Sequence, residues 1–332
     1  MTKSPRMIAA IALMTLTAVA LTGCLVTKKK PEPPYYRKSD NLRVYKQGDW
    51  IRYNVFATTT AGPSIGDFRS GILEVQWGNY SPLTSPDGNV SNGGEPYDVI
   101  EKRYLFCLND AAGTPCIPTE TRVIQYIHQD DPKSDPNITL ATAGTERLVA
   151  MGGHPNFSPS QPQYYWLNTT GGRSSAPANP DNDIIGGQEP VITLKSPLFI
   201  NDVYTVEYFL MDGCVIGVTN CQSDVGRFTN SIKVVGDSTQ INTNIGNYAN
   251  PLEINFNGKV IPDVNVGDTL PITFDIFDLC TYKQSEHSGR IYIVPEIGAI
   301  QMKITCKDSI SGNAILYDIT VDSISSSILA GT

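Results

Sequence analysis

Apolar and polar side chains alternate through short runs along most of the chain. In Trp50-Ile51-Arg52-Tyr53-Asn54-Val55-Phe56 aromatic and β-branched residues take turns with polar ones, and Gly71-Ile72-Leu73-Glu74-Val75-Gln76-Trp77 repeats the theme after a Gly/Pro turn. A period of two marks a strand with one buried face. The two runs predict a hairpin. Further strands are predicted over 97–108, 122–129, 145–151, 163–169, 191–200, 203–212, 227–236, 252–261, 270–279, 290–294, 299–306 and 314–322, separated by turn clusters such as Ser85-Pro86-Asp87-Gly88 and Asp131-Pro132-Lys133. Two strand-like arms around Pro295-Glu296-Ile297-Gly298 predict a hairpin or bulged corner. Beyond residue 30 no stretch combines a helical period with caps, and no solenoid or propeller repeat recurs. The predicted fold class is all-β, with antiparallel sheets arranged as a sandwich or a curved sheet.

The strand pattern is interrupted once at length. Residues 171–190, from Gly171-Gly172-Arg173-Ser174-Ser175 to Gly186-Gly187, are rich in Gly, Ser, Pro and Asn. Such composition suits a linker or a long loop. It predicts two β domains, at 42–170 and 191–325, with one long loop inside a single domain as the alternative.

The first residues follow another rule. Lys3 and Arg6 precede an apolar run from Met7 to Thr22, which is too short for a comfortable membrane span of roughly 20 residues. A basic start, an apolar middle and a small-residue site make a secretory signal peptide. Its end, Leu21-Thr22-Gly23-Cys24, resembles the lipobox of bacterial lipoproteins. The resemblance implies cleavage before Cys24, diacylglycerol on its sulfur, and an acyl group such as palmitate on its new amino group. The next residue is Leu25 rather than the aspartate associated with inner-membrane retention, which implies the outer membrane of a Gram-negative host. Residues 24–41, with Lys28-Lys29-Lys30 and Pro31-Glu32-Pro33-Pro34, then read as a lipidated, proline-stiffened tether after the 1–23 signal peptide. The runs Gly48-Asp49-Trp50-Ile51-Arg52-Tyr53 and Arg290 to Lys303 also resemble short signatures of β-rich envelope lipoproteins of unassigned activity.

Cysteine arithmetic fits this address. The chain has 7 cysteines, an odd number that needs explaining in an exported protein. Lipid on Cys24 leaves Cys107, Cys116, Cys214, Cys221, Cys280 and Cys306 as disulfide candidates in three sequence-local pairs, although six cysteines permit other connectivities. An oxidising periplasm suits such bonds. Charge narrows the partners further. The formal net charge is −8, and loss of Lys3 and Arg6 with the signal peptide makes it more negative. Nucleic acid is therefore not an expected partner, since phosphate binding needs clustered positive charge.

Motifs for catalysis are weak. Gly62-Pro63-Ser64-Ile65-Gly66 fits the G-x-S-x-G pattern of a hydrolase nucleophile elbow, but a strand-like run follows where that elbow needs a helix. His128, His154 and His287 have no metal-ligand spacing among them, and His287, in Ser285-Glu286-His287-Ser288-Gly289, reads as a solvated loop residue. Asp130, Asp131 and Asp135, and separately Asp181 and Asp183, cluster without matching a calcium loop. Neither a metal nor a cofactor is expected beyond the covalent lipid. Tyr164-Tyr165-Trp166 is the densest aromatic cluster and a candidate for glycan or partner binding.

The expected function is that of a non-enzymatic, outer-membrane-anchored binding or assembly module of the cell envelope, held to the membrane by its lipid and partnered by another envelope protein, a glycan or a lipid. A periplasmic carrier of lipid or lipoprotein with an apolar concavity is the alternative, and a serine hydrolase using Ser64 is the third reading.

Overall fold

Alternation becomes a two-faced strand in Trp50–Ala61 (β1), where Ile51, Tyr53, Val55 and Ala57 are buried while Arg52 and Phe56 are exposed. The same pleat repeats along the chain. The computed structural model describes residues 41–83, 97–110, 112–118, 121–131, 143–152, 163–168, 191–215, 224–236, 240–262 and 285–330. After β1 come Phe68–Leu83 (β2), Tyr97–Leu108 (β3), Thr121–Gln129 (β4), Glu146–Gly152 (β5), Gln163–Asn168 (β6) and Val191–Leu194 (β7). Then follow Val203–Val215 (β8), Asp224–Gly236 (β9), Gln240–Thr243 (β10), Gly246–Ala249 (β11), Leu252–Pro262 (β12), Ser285–Val294 (β13), Gly298–Asp308 (β14), Ala314–Ile324 (β15) and the one-turn helix Ser326–Leu329 (α1). The predicted strand over 270–279 lies outside the described residues.

Thirteen of the fifteen strands among the described residues form one antiparallel sheet, in the order β4-β3-β2-β1-β15-β14-β13-β12-β9-β8-β6-β5-β7. Its ends also meet: β4 pairs with β5 from Gln129↔Glu146 to Ile124↔Gly152. All strands of this sheet but β7 therefore belong to a closed ring, and β7 lies along the Glu146–Leu148 part of β5, while β10 and β11 pair only with each other as a separate hairpin. Closure removes the sheet edges that would otherwise template pairing with other chains. It also joins the two halves. Pairing of β1 with β15, and of β4 and β6 with β5 and β8, places strands from 42–170 and 191–325 in the same sheet rather than in separate ones.

Three details differ from the sequence pattern. The run 191–200 is a strand only over Val191–Leu194, because Pro197, after a cis peptide bond, has no N–H for a ladder. The β10–β11 hairpin is too short to show a period and was not predicted. Finally, of the two predicted arrangements the curved sheet is the one that forms, and it closes on itself into a ring.

The core lies inside the ring. Leu73, Val75 and Trp77 of β2, Ile254 and Phe256 of β12, Ile291 and Ile293 of β13, Ile300, Met302 and Ile304 of β14, and Ile319 and Val321 of β15 are all buried in one cluster. At the end where β1 begins, residues 41–49 cross the barrel. Leu42 N–H donates to Ser196 Oγ at 2.9 Å, Tyr45 N–H to Gln129 Oε1 at 3.1 Å, and the Tyr45 hydroxyl to the Ile297 carbonyl at 2.8 Å. The Tyr45 ring stacks on Trp77 with centroids 3.7 Å apart. Gly298 permits this closure: at φ +105° it carries no Cβ, and one would lie 2.0 Å from the Tyr45 hydroxyl.

Candidate functional site

An eight-stranded barrel is just filled by its own side chains, and wider ones leave space. Here a cavity of about 90 Å³ remains inside the ring, walled mainly by Ile51, Val75, Ile232, Ile254, Phe256 and Ile291. Its polar fringe comes from β3, β4 and β5. Along β3 the inward parity runs Ile100, Lys102, Tyr104, so a lysine stands where the pattern calls for an apolar residue. Lys102 Nζ lies 2.8 Å from Glu146 Oε2, with both side chains largely withdrawn from water, at 14% and 5% exposure. The ammonium also sits 5.6 Å and 5.9 Å from the ring centroids of Trp77 and Tyr104. Cation–π attraction of this kind offsets part of the lost hydration.

The phenols around the cavity are hydrogen-bonded, Tyr204 as acceptor from the Lys195 N–H at 3.4 Å and the others as donors. Tyr104 donates to Gln125 Oε1 at 3.0 Å, and Tyr53 to the Ala299 carbonyl at 3.0 Å. Burial raises the pKa of Tyr45 and Tyr53 well above the ordinary phenol value and pushes Tyr204 up to about 12. All three stay neutral at physiological pH. The cavity is thus apolar in its walls, polar along one side, and internally balanced in charge at Lys102 and Glu146.

A second interior feature lies on the far side of Phe256. Asn230 of β9, Gly258 of β12 and His287 of β13 stand in register across three neighbouring strands. His287 is 1% exposed, stacks on Phe228 with centroids 5.3 Å apart, and occupies the space Gly258 leaves open, 2.4 Å between its Nε2 and the position of a Cβ there. Among the described residues neither imidazole nitrogen nor Asn230 Oδ1 has a hydrogen-bond partner. Burial pushes the His287 pKa down to about 4, so the ring is neutral. The solvated loop expected at 285–289 is therefore corrected: His287 shares the inward parity of Ile291 and Ile293, and that parity outweighs the polar composition around it.

The remaining sequence candidates are scattered. Cys24, Cys221, Cys280, His154, Asp135, Asp181 and Asp183 lie outside the described residues. Cys107 and Cys116 form a disulfide with Cα atoms 6.1 Å apart, which pins the segment leaving β3. Cys306 is buried and disulfide-bonded, and Cys214 stands opposite Tyr164 in the β8–β6 ladder. The side chains of Tyr164, Tyr165 and Trp166 are outside the described set, although their strand is β6. Ser64 is exposed in the turn between β1 and β2, so its setting is strand–turn–strand rather than the strand–turn–helix of a nucleophile elbow. His128 on β4 places Nδ1 2.8 Å from the Asp98 carbonyl. Asp130 is committed to Arg147, at 3.0 and 3.1 Å from its Nε and Nη2. Among the described residues no group of three His, Cys, Asp or Glu side chains is placed to hold a metal.

The residues that shape the cavity were missed by motif reasoning. Lys102 and Gln125 carried a usable signal, since each occupies an inward position flanked two residues away by Ile or Tyr. Glu146 did not, because it opens its strand.

No protein-family model matches the chain, and no curated protein matches it. Two solved structures are similar to it. One is an inferred lipoprotein from Parabacteroides distasonis, 10% identical, covering 84% of this chain and 96% of its own, with a TM-score of 0.32. The other is an inferred exported protein with a YmcC-like fold from Bacteroides fragilis, 12% identical, covering 86% and 99% respectively, with a TM-score of 0.31.

Proposed function

We propose that the protein is an outer-membrane-anchored lipoprotein that works as a non-enzymatic binding module of the cell envelope, with the interior of its barrel as the ligand site. The cavity carries this reading. A mostly apolar space of about 90 Å³, enclosed by strands from both halves of the chain and edged by oriented polar groups, has room for a very small apolar molecule or for one end of a longer one. It favours the carrier form of the reading, in which the barrel shelters an apolar molecule from water. Anchoring rests on Leu21-Thr22-Gly23-Cys24 and the tether after it.

Two experiments test these parts separately. Mass spectrometry of the isolated full chain is expected to find a retained apolar molecule in the wild type and to lose it in Ile254→Trp, whose indole enters the cavity from β12. Equal retention by both, or none by a folded wild type, contradicts the ligand site. In cell fractionation, Cys24→Ala is expected to leave the membrane fraction and lose lipid labelling; persistence in the membrane contradicts the anchor.

A further inference from the structure

We infer that the cavity selects an acyl chain whose head group is an uncharged ester or amide, and rejects the free carboxylate. This rests on the reading of the cavity as a ligand site and names the ligand chemistry of that same site. An apolar pocket that takes fatty acids as anions needs a cation free to receive the head group. Two cations line this one. Lys102 is already held by Glu146 at 2.8 Å, inside the apolar wall. Arg43 faces buried Asp49 at 3.7 Å and donates to the Ser327 carbonyl at 2.9 Å and the Ile328 carbonyl at 3.5 Å.

Each positive charge therefore has its counter-ion. An entering carboxylate must pull Lys102 from Glu146, stranding one of two anions in a water-poor space, or remain unpaired beside Glu146. Both outcomes are costly in low dielectric. A neutral carbonyl meets neither obstacle. Arg43 Nε, buried and without a partner among the described residues, is a donor left over after the charge is balanced. An ester or amide oxygen satisfies such a donor without adding charge.

The test compares methyl decanoate with decanoate by calorimetric titration of the full chain carrying Cys24→Ala, which keeps the protein free of its own lipid. At pH 7.5 the ester is expected to bind about tenfold or more tightly than the carboxylate, a difference of about 1.4 kcal/mol or more. Decanoate affinity is expected to rise toward about tenfold per unit as pH falls, because the bound form is the neutral acid, while the ester stays flat. Glu146→Gln releases Lys102 and is expected to reverse the preference, with decanoate binding more tightly than the ester. If the ester binds but decanoate equals or exceeds it in the wild type, the inference is wrong and the ligand site stands. Failure of both ligands to bind the folded protein removes the ligand-site reading and this inference with it. Should Glu146→Gln not fold, the wild-type comparison and its pH dependence decide alone.

Discussion

Glu146→Ala is expected to lower the stability of the barrel by about 3–5 kcal/mol at neutral pH, since breaking one side of a desolvated pair strands the other charge. The expectation follows from position. Lys102 and Glu146 face each other at 2.8 Å on the inner side of β3 and β5, next to the β4–β5 pairing that closes the ring. Without the carboxylate, Lys102 keeps its contacts with Trp77 and Tyr104, and cation–π attraction returns only about 0.5–2 kcal/mol. Removing both charges is a different operation. Lys102→Met with Glu146→Leu is expected to be neutral or to stabilise by about 1–4 kcal/mol, because apolar replacements remove the desolvation cost as well as the attraction. Urea unfolding of the three proteins at equal m-value measures this directly. A single variant as stable as the double one would mean that the pair is hydrated and that the polar side of the cavity has been misjudged.

The second large effect concerns His287 and appears only on acidification. The unfolded chain lets this imidazole protonate near 6.5, whereas the folded barrel holds its pKa down to about 4. Between those values unfolding takes up a proton, so stability is complete above about 6.5 and falls as pH drops toward 4. At about 1.4 kcal/mol per unit, the full loss is about 3 kcal/mol. Among the described residues its neighbours across the strands carry no charge to oppose this: Gly258 and disulfide-bonded Cys306 are its register partners, Asn230 lies beyond Gly258, and Phe228 covers the ring. His287→Phe keeps an aromatic ring against Phe228 and cannot titrate. The variant is expected to match the wild type within about 1 kcal/mol at pH 7.5 and to exceed it by about 2 kcal/mol at pH 5. Parallel loss of stability in both proteins over that range would show that His287 is not sequestered.

These two residues also show what was legible in the chain. Alternation located nearly every described strand, because a half-buried strand must alternate wherever one face meets a core. It also held the positions of Lys102 and His287, each on the inward parity of its strand, but composition pulled the interpretation away. The polar run Ser285 to Gly289 suggests a loop until Ile291 and Ile293 are used to count backward. Partnership between strands was not legible. Residues Ile51 and Ile324 pair across almost the whole described chain, and Gln129 of β4 faces Glu146 of β5 although they are well separated in sequence. A period of two states which face a residue takes, not which strand lies beside it. The ring, and with it the cavity, is a consequence of those pairings, so no local motif announces the site. Glu146 illustrates the limit: it meets Lys102 only because closure brings the start of β5 beside the inner face of β3.

The most direct measurement is titration of the full-length Cys24→Ala protein with xenon, an apolar atom small enough for the cavity, followed by xenon NMR and compared with the same protein carrying Ile254→Trp. Saturable binding at one site per chain, weakened about tenfold or more by the indole with the fold intact, is the predicted result. Equal binding by both proteins, or no saturable binding by either, would contradict a ligand site inside the barrel.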